Sequence, residues 1–417
     1  MADNAGKTTE LVADDPGQYG IGGAPVYSTA AEDSVIDVAD LYVEFPTVLG
    51  VVRALNGVNY RLPRGKVLGV VGESGSGKSV TARAIMQILE RPGHITSGAI
   101  TFRRGSRPDD EERAAHRPKN APKKLDVDEV DIAQLEPDSD EIRGIRGEEI
   151  AMIFQEPMTS LNPLYTIGNQ IEEGILLHQT DDKAESKRRA IDILRQVGMP
   201  NPERIHGSYP HELSGGMRQR TMIAMALSCR PSMLIADEPT TALDVTTEAQ
   251  ILELMRGLQR ETGMSILFIT HSMGVIAQIC DDVVVMYLGR IVERAPVEEI
   301  FHNPKHPYTI SLLRSIPRFG MSRTEPLEVI HGSVPDPYTR VPGCSFHPRC
   351  PASMPGICDT IVPVEAPIGA PGHGVRCHLY PGCTPKEVVP QDITIEAAPT
   401  EGRRFGRSKV ASSNKGA

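Results

Sequence analysis

Val67-Leu68-Gly69-Val70-Val71-Gly72-Glu73-Ser74-Gly75-Ser76-Gly77-Lys78-Ser79 decides the fold. Val67 to Val71 is a short, nearly continuous apolar run, the pattern of a strand buried on both faces. Gly72 to Ser79 fits G-x-x-x-x-G-K-[ST], a loop whose backbone N–H groups cradle nucleotide phosphates. Val80 to Leu89 then reads as the helix behind the loop, whose N-terminus strengthens the anion site. Lys78 should reach the β- and γ-phosphates, and the Ser79 hydroxyl should face Mg²⁺. Loops of this kind occur in many NTPases, so the motif specifies a bound nucleotide and no more.

Working outward, residues 1–34 are rich in Gly, Ala, Asp and Ser without apolar periodicity and read as a disordered extension. Val35–Val38 and Leu41–Phe45 alternate as strands, and Val58–Leu62 reads as another. The stretch from about Gly105 to Glu141 is charged, proline-bearing and poor in apolar residues, which suggests a surface insertion. Order resumes at Ile150–Gln155. Between Thr166 and Met199 the pattern is helical: Ala190, Ile193, Leu194 and Val197 recur at three- and four-residue spacing, with Gly198 as C-cap. Met233–Ala236 and Ile266–Ile269 are two further buried strands, separated by a helix from Thr246 to Arg260. Alternation of this kind predicts an α/β fold with a largely parallel sheet and an inserted helical lobe over about 156–213.

A second glycine-rich segment, Leu213-Ser214-Gly215-Gly216-Met217-Arg218-Gln219-Arg220, opens a helix just upstream of Asp237-Glu238. Asp237 ends a strand, where a carboxylate can hold Mg²⁺ through water, and Glu238 is placed to orient or deprotonate the attacking water. The phosphate loop and this segment together resemble the nucleotide-binding subunit of an ATP-binding cassette (ABC) transporter, over about residues 36–300. The resemblance implies a P-loop ATPase binding ATP and Mg²⁺ through Gly72, Glu73, Ser74, Gly75, Ser76, Gly77, Lys78, Ser79 and Asp237. It implies Glu238 as catalytic base, Gln155 as the glutamine loop touching Mg²⁺, and His271 as the switch histidine at the γ-phosphate. Asp244, after Ala242-Leu243, would sit in the loop at the dimer seam. Ser214, Gly215 and Gly216 would cap ATP held by a partner subunit. Phe45 occupies the position of the ring that stacks on adenine, with Tyr42 in reserve.

Of seven cysteines, Cys229 and Cys280 lie in the core region and read as small buried hydrophobes, while Cys344, Cys350, Cys358, Cys377 and Cys383 crowd a Pro/His/Gly-rich region after Pro304. Clustered thiols in an intracellular chain point to metal or redox chemistry, and the spacing lacks the C-x-x-C knuckle of most zinc sites. Zinc, redox disulfides, free thiols and an iron–sulfur cluster all remain open on spacing alone. Pro342–Pro351, Val375–Leu379, Asn303–Thr309 and Ser160–Pro163 resemble the oligopeptide/dipeptide permease ATPases to about residue 385. That resemblance implies a C-terminal module over 304–385 after a nucleotide-binding domain over 35–303, with a flexible tail over 386–417. It also implies a 4Fe-4S cluster on Cys344, Cys350, Cys358 and Cys377, with Cys383 spare.

The bulk properties agree. A net charge of −10 argues against nucleic-acid binding, despite basic stretches at Arg103–Lys124 and Arg403–Lys409 that read as solvated linker and tail. There is no apolar run long enough to span a bilayer and no secretory pattern after Met1, so transport would need separate subunits. The implied partners are a second, homologous ATPase subunit in a heterodimer, two membrane permease subunits and, indirectly, an extracytoplasmic solute-binding protein, at the cytoplasmic face of the membrane. Nickel or oligosaccharide import is the alternative within the class. A soluble ABC ATPase acting on ribosomes or DNA would carry paired cassettes or a long coiled coil, and this chain has neither. A redox-sensing regulator built on the cysteines is the remaining reading.

Overall fold

The computed structural model describes residues 25–27, 29–105, 115–122, 128–155, 160–241, 243–316 and 330–385. Its strands in chain order are β1 (Ser34–Thr47), β2 (Gly50–Pro63), β3 (Val67–Val71), β4 (His94–Arg103), β5 (Glu129–Asp131), β6 (Ile150–Ile153), β7 (Met233–Asp237), β8 (Ser265–Thr270), β9 (Asp282–Tyr287), β10 (Arg290–Pro296), β11 (Ala366–Pro367) and β12 (Gly374–Val375). A four-stranded antiparallel sheet has the order β2-β1-β4-β5. The second sheet runs β11-β12-β10-β9-β3-β8-β7-β6, parallel from β9 to β6 and antiparallel beyond β9.

The apolar runs explain why the parallel strands lie inside. Every residue of β3, β7 and β8 is buried. Side chains alternate across the sheet, so Val67 and Val71 join a core shared with the helices, while Leu68 and Val70 join one shared with the antiparallel sheet. The helices Ile167–His178, Lys183–Gln196 and Pro202–His206 pack their apolar stripes into the first core, through Ile171, Ile175, Ala190, Leu194 and Ile205. Thr166 and Asp182 cap the first two by accepting from Asn169 and Ala184 N–H, and Gly198 takes φ +71° just past the second.

Several expectations need correction. Val35–Val38 and Leu41–Phe45 are one strand, bent at a bulge where Asp40 has φ +44°; the Asn59 amide pins it, accepting from Asp40 N–H at 2.9 Å and donating to Asp40 Oδ1 at 2.8 Å. The helix behind the phosphate loop is Lys78–Ile85 rather than Val80–Leu89. It stops because Gln87 turns to φ +51° and the Arg146 guanidinium captures the Met86 and Gln87 carbonyls, at 2.7 Å each. The charged stretch does not stay on the surface as far as Glu141: Glu129–Asp131 pairs with β4, and Ile132 is fully buried. Residues 106–114 and 123–127 of that stretch lie outside the described residues, as do 1–24 and the tail 386–417.

The two ends of the described chain are tied into the core. β12 adds to β10, pairing Glu293 with Val375 and Arg294 with Gly374, so the C-terminal residues extend the central sheet. Behind that edge Arg294 and Glu365 form a buried bidentate pair at 2.6 and 3.0 Å, and Glu365 also accepts from Val26 N–H at 3.1 Å. The Tyr27 ring lies 3.9 Å from the Arg61 guanidinium carbon and 4.9 Å from that of Arg294. Within the stretch expected to be disordered, Val26 and Tyr27 are therefore packed.

Glu365 has a side chain 1% exposed, so Glu365→Ala strands the Arg294 charge in the interior. The expected cost is roughly 3–5 kcal/mol of unfolding free energy by denaturant titration. Glu44→Ala, which breaks the solvent-exposed Arg53–Glu44 pair, should cost no more than about 1 kcal/mol.

Candidate functional site

Parallel pairing delivers the site. Val71 lies opposite Thr270 and Asp237 opposite Ile269, so the chain leaves β3, β7 and β8 at one edge, where Gly72, Glu238 and His271 follow. Open α/β sheets bind ligands at this carboxyl edge.

The phosphate loop is shaped by what surrounds it. A Cβ on Gly72 would collide with the Met286 carbonyl, and one on Gly77, at φ +99°, would come within 2.7 Å of the Ala54 carbonyl. Gly75, at φ +78°, has open space above it. Gly289 N–H donates to the Ser76 carbonyl at 3.0 Å, which fixes the loop against the β9–β10 turn. Lys78 is buried, its Nζ donating to the carbonyls of Gly72 and Glu73 at 2.9 and 3.1 Å. Burial pushes its pKa down, against the charges of Glu238, Asp237 and Glu73. The Ser76 hydroxyl is buried without a hydrogen-bond partner.

Ser79 Oγ donates to Asp237 Oδ1 at 2.9 Å. Burial raises the Asp237 pKa, only partly offset by that bond, and the adjacent Glu238 charge adds to the rise. This is a carboxylate that a nearby cation would stabilise. Hydroxyl and carboxylate oxygens are the donors Mg²⁺ prefers, and with the orphaned Ser76 hydroxyl and the lysine they fit a bound Mg²⁺–nucleotide.

Glu238 sits in the left-handed region at φ +48°, held there as its N–H donates to the Ile269 carbonyl at 2.9 Å. Such a conformation costs on the order of 1 kcal/mol and aims the side chain across the strand ends. Its Oε2 accepts from Gln155 Nε2 and from Thr241 Oγ1, each at 3.1 Å, and its Oε1 lies 3.1 Å from His271 Nδ1. Burial favours the neutral acid, but the bond and charge of His271, joined by the Thr241 hydroxyl and the Lys78 charge, outweigh it, and the carboxyl pKa is lowered. The structure thus brings together Gln155, Glu238 and His271 beside the Ser79–Asp237 pair.

The remaining candidates stand apart. Ser214 caps its own helix, Gly215–Leu227, by accepting from Met217 N–H at 3.4 Å. Asp244 caps Val245–Thr262 through Thr247 N–H at 3.0 Å, and Thr247 Cγ2 lies 3.0 Å from where a Gly216 Cβ would be. The second glycine segment and the Asp244 loop are therefore neighbours. Ala242 and residues 156–159 lie outside the described residues. The Phe45 ring is half-buried against Gly93, and Tyr42 packs its hydroxyl over Gly57.

Thr241, Gln219, Tyr308 and Arg349 escape sequence reasoning. Gln219 donates its buried amide to the Pro239 carbonyl, bracing the turn after Glu238. Tyr308 Oη accepts from Glu73 N–H at 2.8 Å, and Arg349 pairs with the Glu73 carboxylate at 2.7 and 3.1 Å. Thr241 is a local contact that no motif marks, while Gln219, Tyr308 and Arg349 lie in recognisable segments but act on partners 20, 235 and 276 residues away, which no local pattern reveals.

The C-terminal thiols gather in one region. Cys344 N–H donates to the Cys358 carbonyl at 2.8 Å, and Met354 N–H donates to Cys358 Sγ at 3.4 Å. Burial pushes the Cys344 thiol up to about 11, with Cys358 and Cys350 adding to the rise. Cys377 is also raised, by burial first and then by Cys344, Cys350 and Cys383. Among the described residues no group of three or more His, Cys, Asp or Glu converges to hold a metal ion. Cys383 is buried and donates to the Val375 carbonyl at 3.2 Å.

Comparison with known proteins agrees with this architecture. Residues 55–241 match the ABC transporter family, and 292–358 match the oligopeptide/dipeptide transporter C-terminal region. A putative peptide import ATP-binding protein of Brucella melitensis is 47% identical over 349 residues, covering 82% of this chain and 96% of that one. A dipeptide transport ATP-binding protein of Haemophilus influenzae is 42% identical over 83% of this chain and 95% of its own length. An oligopeptide transport ATP-binding protein of Bacillus subtilis is 46% identical over 77% and 82%. Among solved structures, a dimeric bacterial ABC transporter cassette aligns with TM-score 0.50 at 25% identity, over 63% of this chain and 98% of that one. Among the described residues no helix is long and apolar enough to cross a membrane. The chain belongs to the ATP-binding proteins of ABC transporters, in the oligopeptide/dipeptide branch.

Proposed function

We propose that the chain hydrolyses ATP to drive import of oligopeptides or dipeptides through two separate membrane permease subunits, at the cytoplasmic face of the membrane. The observation that carries the hydrolytic reading is Glu238, held between Gln155, Thr241 and His271 beside the Ser79–Asp237 pair. The peptide reading rests on the match over 292–358 and on the printed functions of the relatives. Exposed apolar side chains beside the glutamine loop, Phe154 at 44% and Leu164 at 80%, support docking onto permease subunits.

The chemistry follows from the placement of each group. The loop N–H groups and Lys78 bind the phosphates, and the Ser76 hydroxyl gains the partner it lacks. Ser79, Asp237 and Gln155 would hold Mg²⁺, which supplies charge neutralisation at the β- and γ-phosphates. Glu238 is held by Gln155 and His271. Once nucleotide draws those two toward the γ-phosphate, its carboxylate is free to accept a proton from the attacking water. Ser214, Gly215 and Gly216 complete a second subunit's site, with Asp244 at the seam; the exposed, self-capped helix start supports this reading, as does the dimeric cassette among the similar structures.

We further propose that Cys344, Cys350, Cys358 and Cys377 hold a four-iron cluster, the reading that the resemblance to the peptide-permease ATPases implies. Cys344, Cys358 and Cys377 are buried and Cys350 half-buried, and burial together with neighbouring thiols raises the Cys344 and Cys377 pKa values. A cluster spreads its ligands over several irons and would staple the C-terminal region to the core.

Glu238→Gln should keep ATP binding while lowering kcat on the order of 10²–10⁴-fold in the assembled transporter. Wild-type turnover by that variant would remove Glu238 from the role of base.

Gly215→Asp tests the shared site. A Cβ there meets open space, and an acid in the first helical turn favours the helix dipole, so the chain itself should remain folded. ATP binding by the isolated chain should be unchanged while hydrolysis in the complex collapses, because a carboxylate then faces the partner-bound phosphates. Lost binding in the isolated chain would instead place the segment at its own nucleotide.

Protein purified without oxygen should be brown, with about four irons per chain, and serine at any of the four cysteines should bleach it while Cys383→Ser does not. Colourless anaerobic protein would rule out the cluster.

A further inference from the structure

Glu73 is an anomaly in a loop built to hold phosphates. It places a carboxylate beside a site whose ligand is itself strongly anionic, and like charges there oppose binding. The structure answers it with one residue from the far end of the chain. Arg349 Nη1 donates to Glu73 Oε2 at 2.7 Å and Nη2 to Oε1 at 3.1 Å, a bidentate fork. The Arg349 side chain is only 5% exposed, against 26% for Glu73.

Arg349 is itself firmly placed. Its Nε donates to the His331 carbonyl at 3.2 Å, its Nη1 to Tyr287 Oη at 3.3 Å, and its guanidinium carbon lies 5.8 Å from the Tyr287 ring centre. It ends the 3₁₀ turn His347–Arg349, between Cys344 and Cys350, and that turn rests on Phe346, which packs against Tyr287 and Tyr308. Tyr308 in turn holds the backbone of Glu73. One aromatic cluster therefore supports both the side-chain and the main-chain contacts to the phosphate loop.

We infer that Arg349 is a positioning residue for nucleotide binding: it neutralises and orients Glu73, so the cysteine-bearing C-terminal segment is a working part of the phosphate site. This rests on the nucleotide reading above.

The test is binding of Mg²⁺–ATP to the full chain by titration calorimetry, with wild type, Arg349→Ala, Glu73→Gln and the double variant. Arg349→Ala should weaken binding about tenfold, the size of one uncompensated charge several ångströms away in a partly wet site. Glu73→Gln in the Arg349→Ala background should restore affinity to within about twofold of wild type, because the loss comes from the bare carboxylate. Unchanged binding by Arg349→Ala overturns the inference, and so does a loss that Glu73→Gln fails to repair, which would mark Arg349 as simple packing. Should Arg349→Ala fail to fold, Arg349→Gln, which keeps most of the stem, gives the same comparison. Wild type that does not bind Mg²⁺–ATP would instead overturn the nucleotide reading itself.

Discussion

Parallel pairing of β3 with β8 and of β8 with β7 is the constraint on which the rest of the molecule depends. Parallel strands end at the same edge, so three segments far apart in sequence deliver Gly72, Glu238 and His271 to one line. The requirement behind that pairing is burial. Strands covered on both faces must be apolar throughout, and β3, β7 and β8 are buried along their whole length. Polar chemistry is pushed out to the loops just past their ends. Within β7 the exception is Asp237, buried at the last strand position and paired with Ser79.

That arrangement also explains the electrostatics. Lys78, Asp237 and Glu238 share a half-dry edge, where burial lowers the lysine pKa and raises that of Asp237 while hydrogen bonds hold Glu238 ionised. The strained backbone at Glu238 belongs to the same design: a left-handed residue directly after the strand turns the carboxylate toward Gln155 and His271, and the braced turn after it, through Gln219 to Pro239, keeps it there. The C-terminal residues are not an appendage to this edge. β12 extends the sheet, Glu365 neutralises the buried Arg294, and Tyr308 and Arg349 reach the phosphate loop.

What the sequence determined by itself is whatever rests on local pattern. Apolar runs of strand length gave β3, β7 and β8, since total burial leaves a signature that needs no knowledge of partners. The phosphate loop, the Asp237-Glu238 pair and the helix opened by Ser214 are legible because each works through its own backbone: consecutive N–H groups, a strand end, a helix N-terminus. Tertiary structure alone decided where such patterns stop and what they meet. The helix after the loop ends at Ile85 because Arg146, distant in sequence, takes the carbonyls of Met86 and Gln87 just past it. A strand was hidden in the charged stretch because pairing with β4 supplies what its own composition does not. Val26 and Tyr27 are packed because Glu365, Arg61 and Arg294 meet them. The Glu73–Arg349 pair joins positions 276 residues apart, and a contact of that kind leaves no periodicity, spacing or motif in the chain.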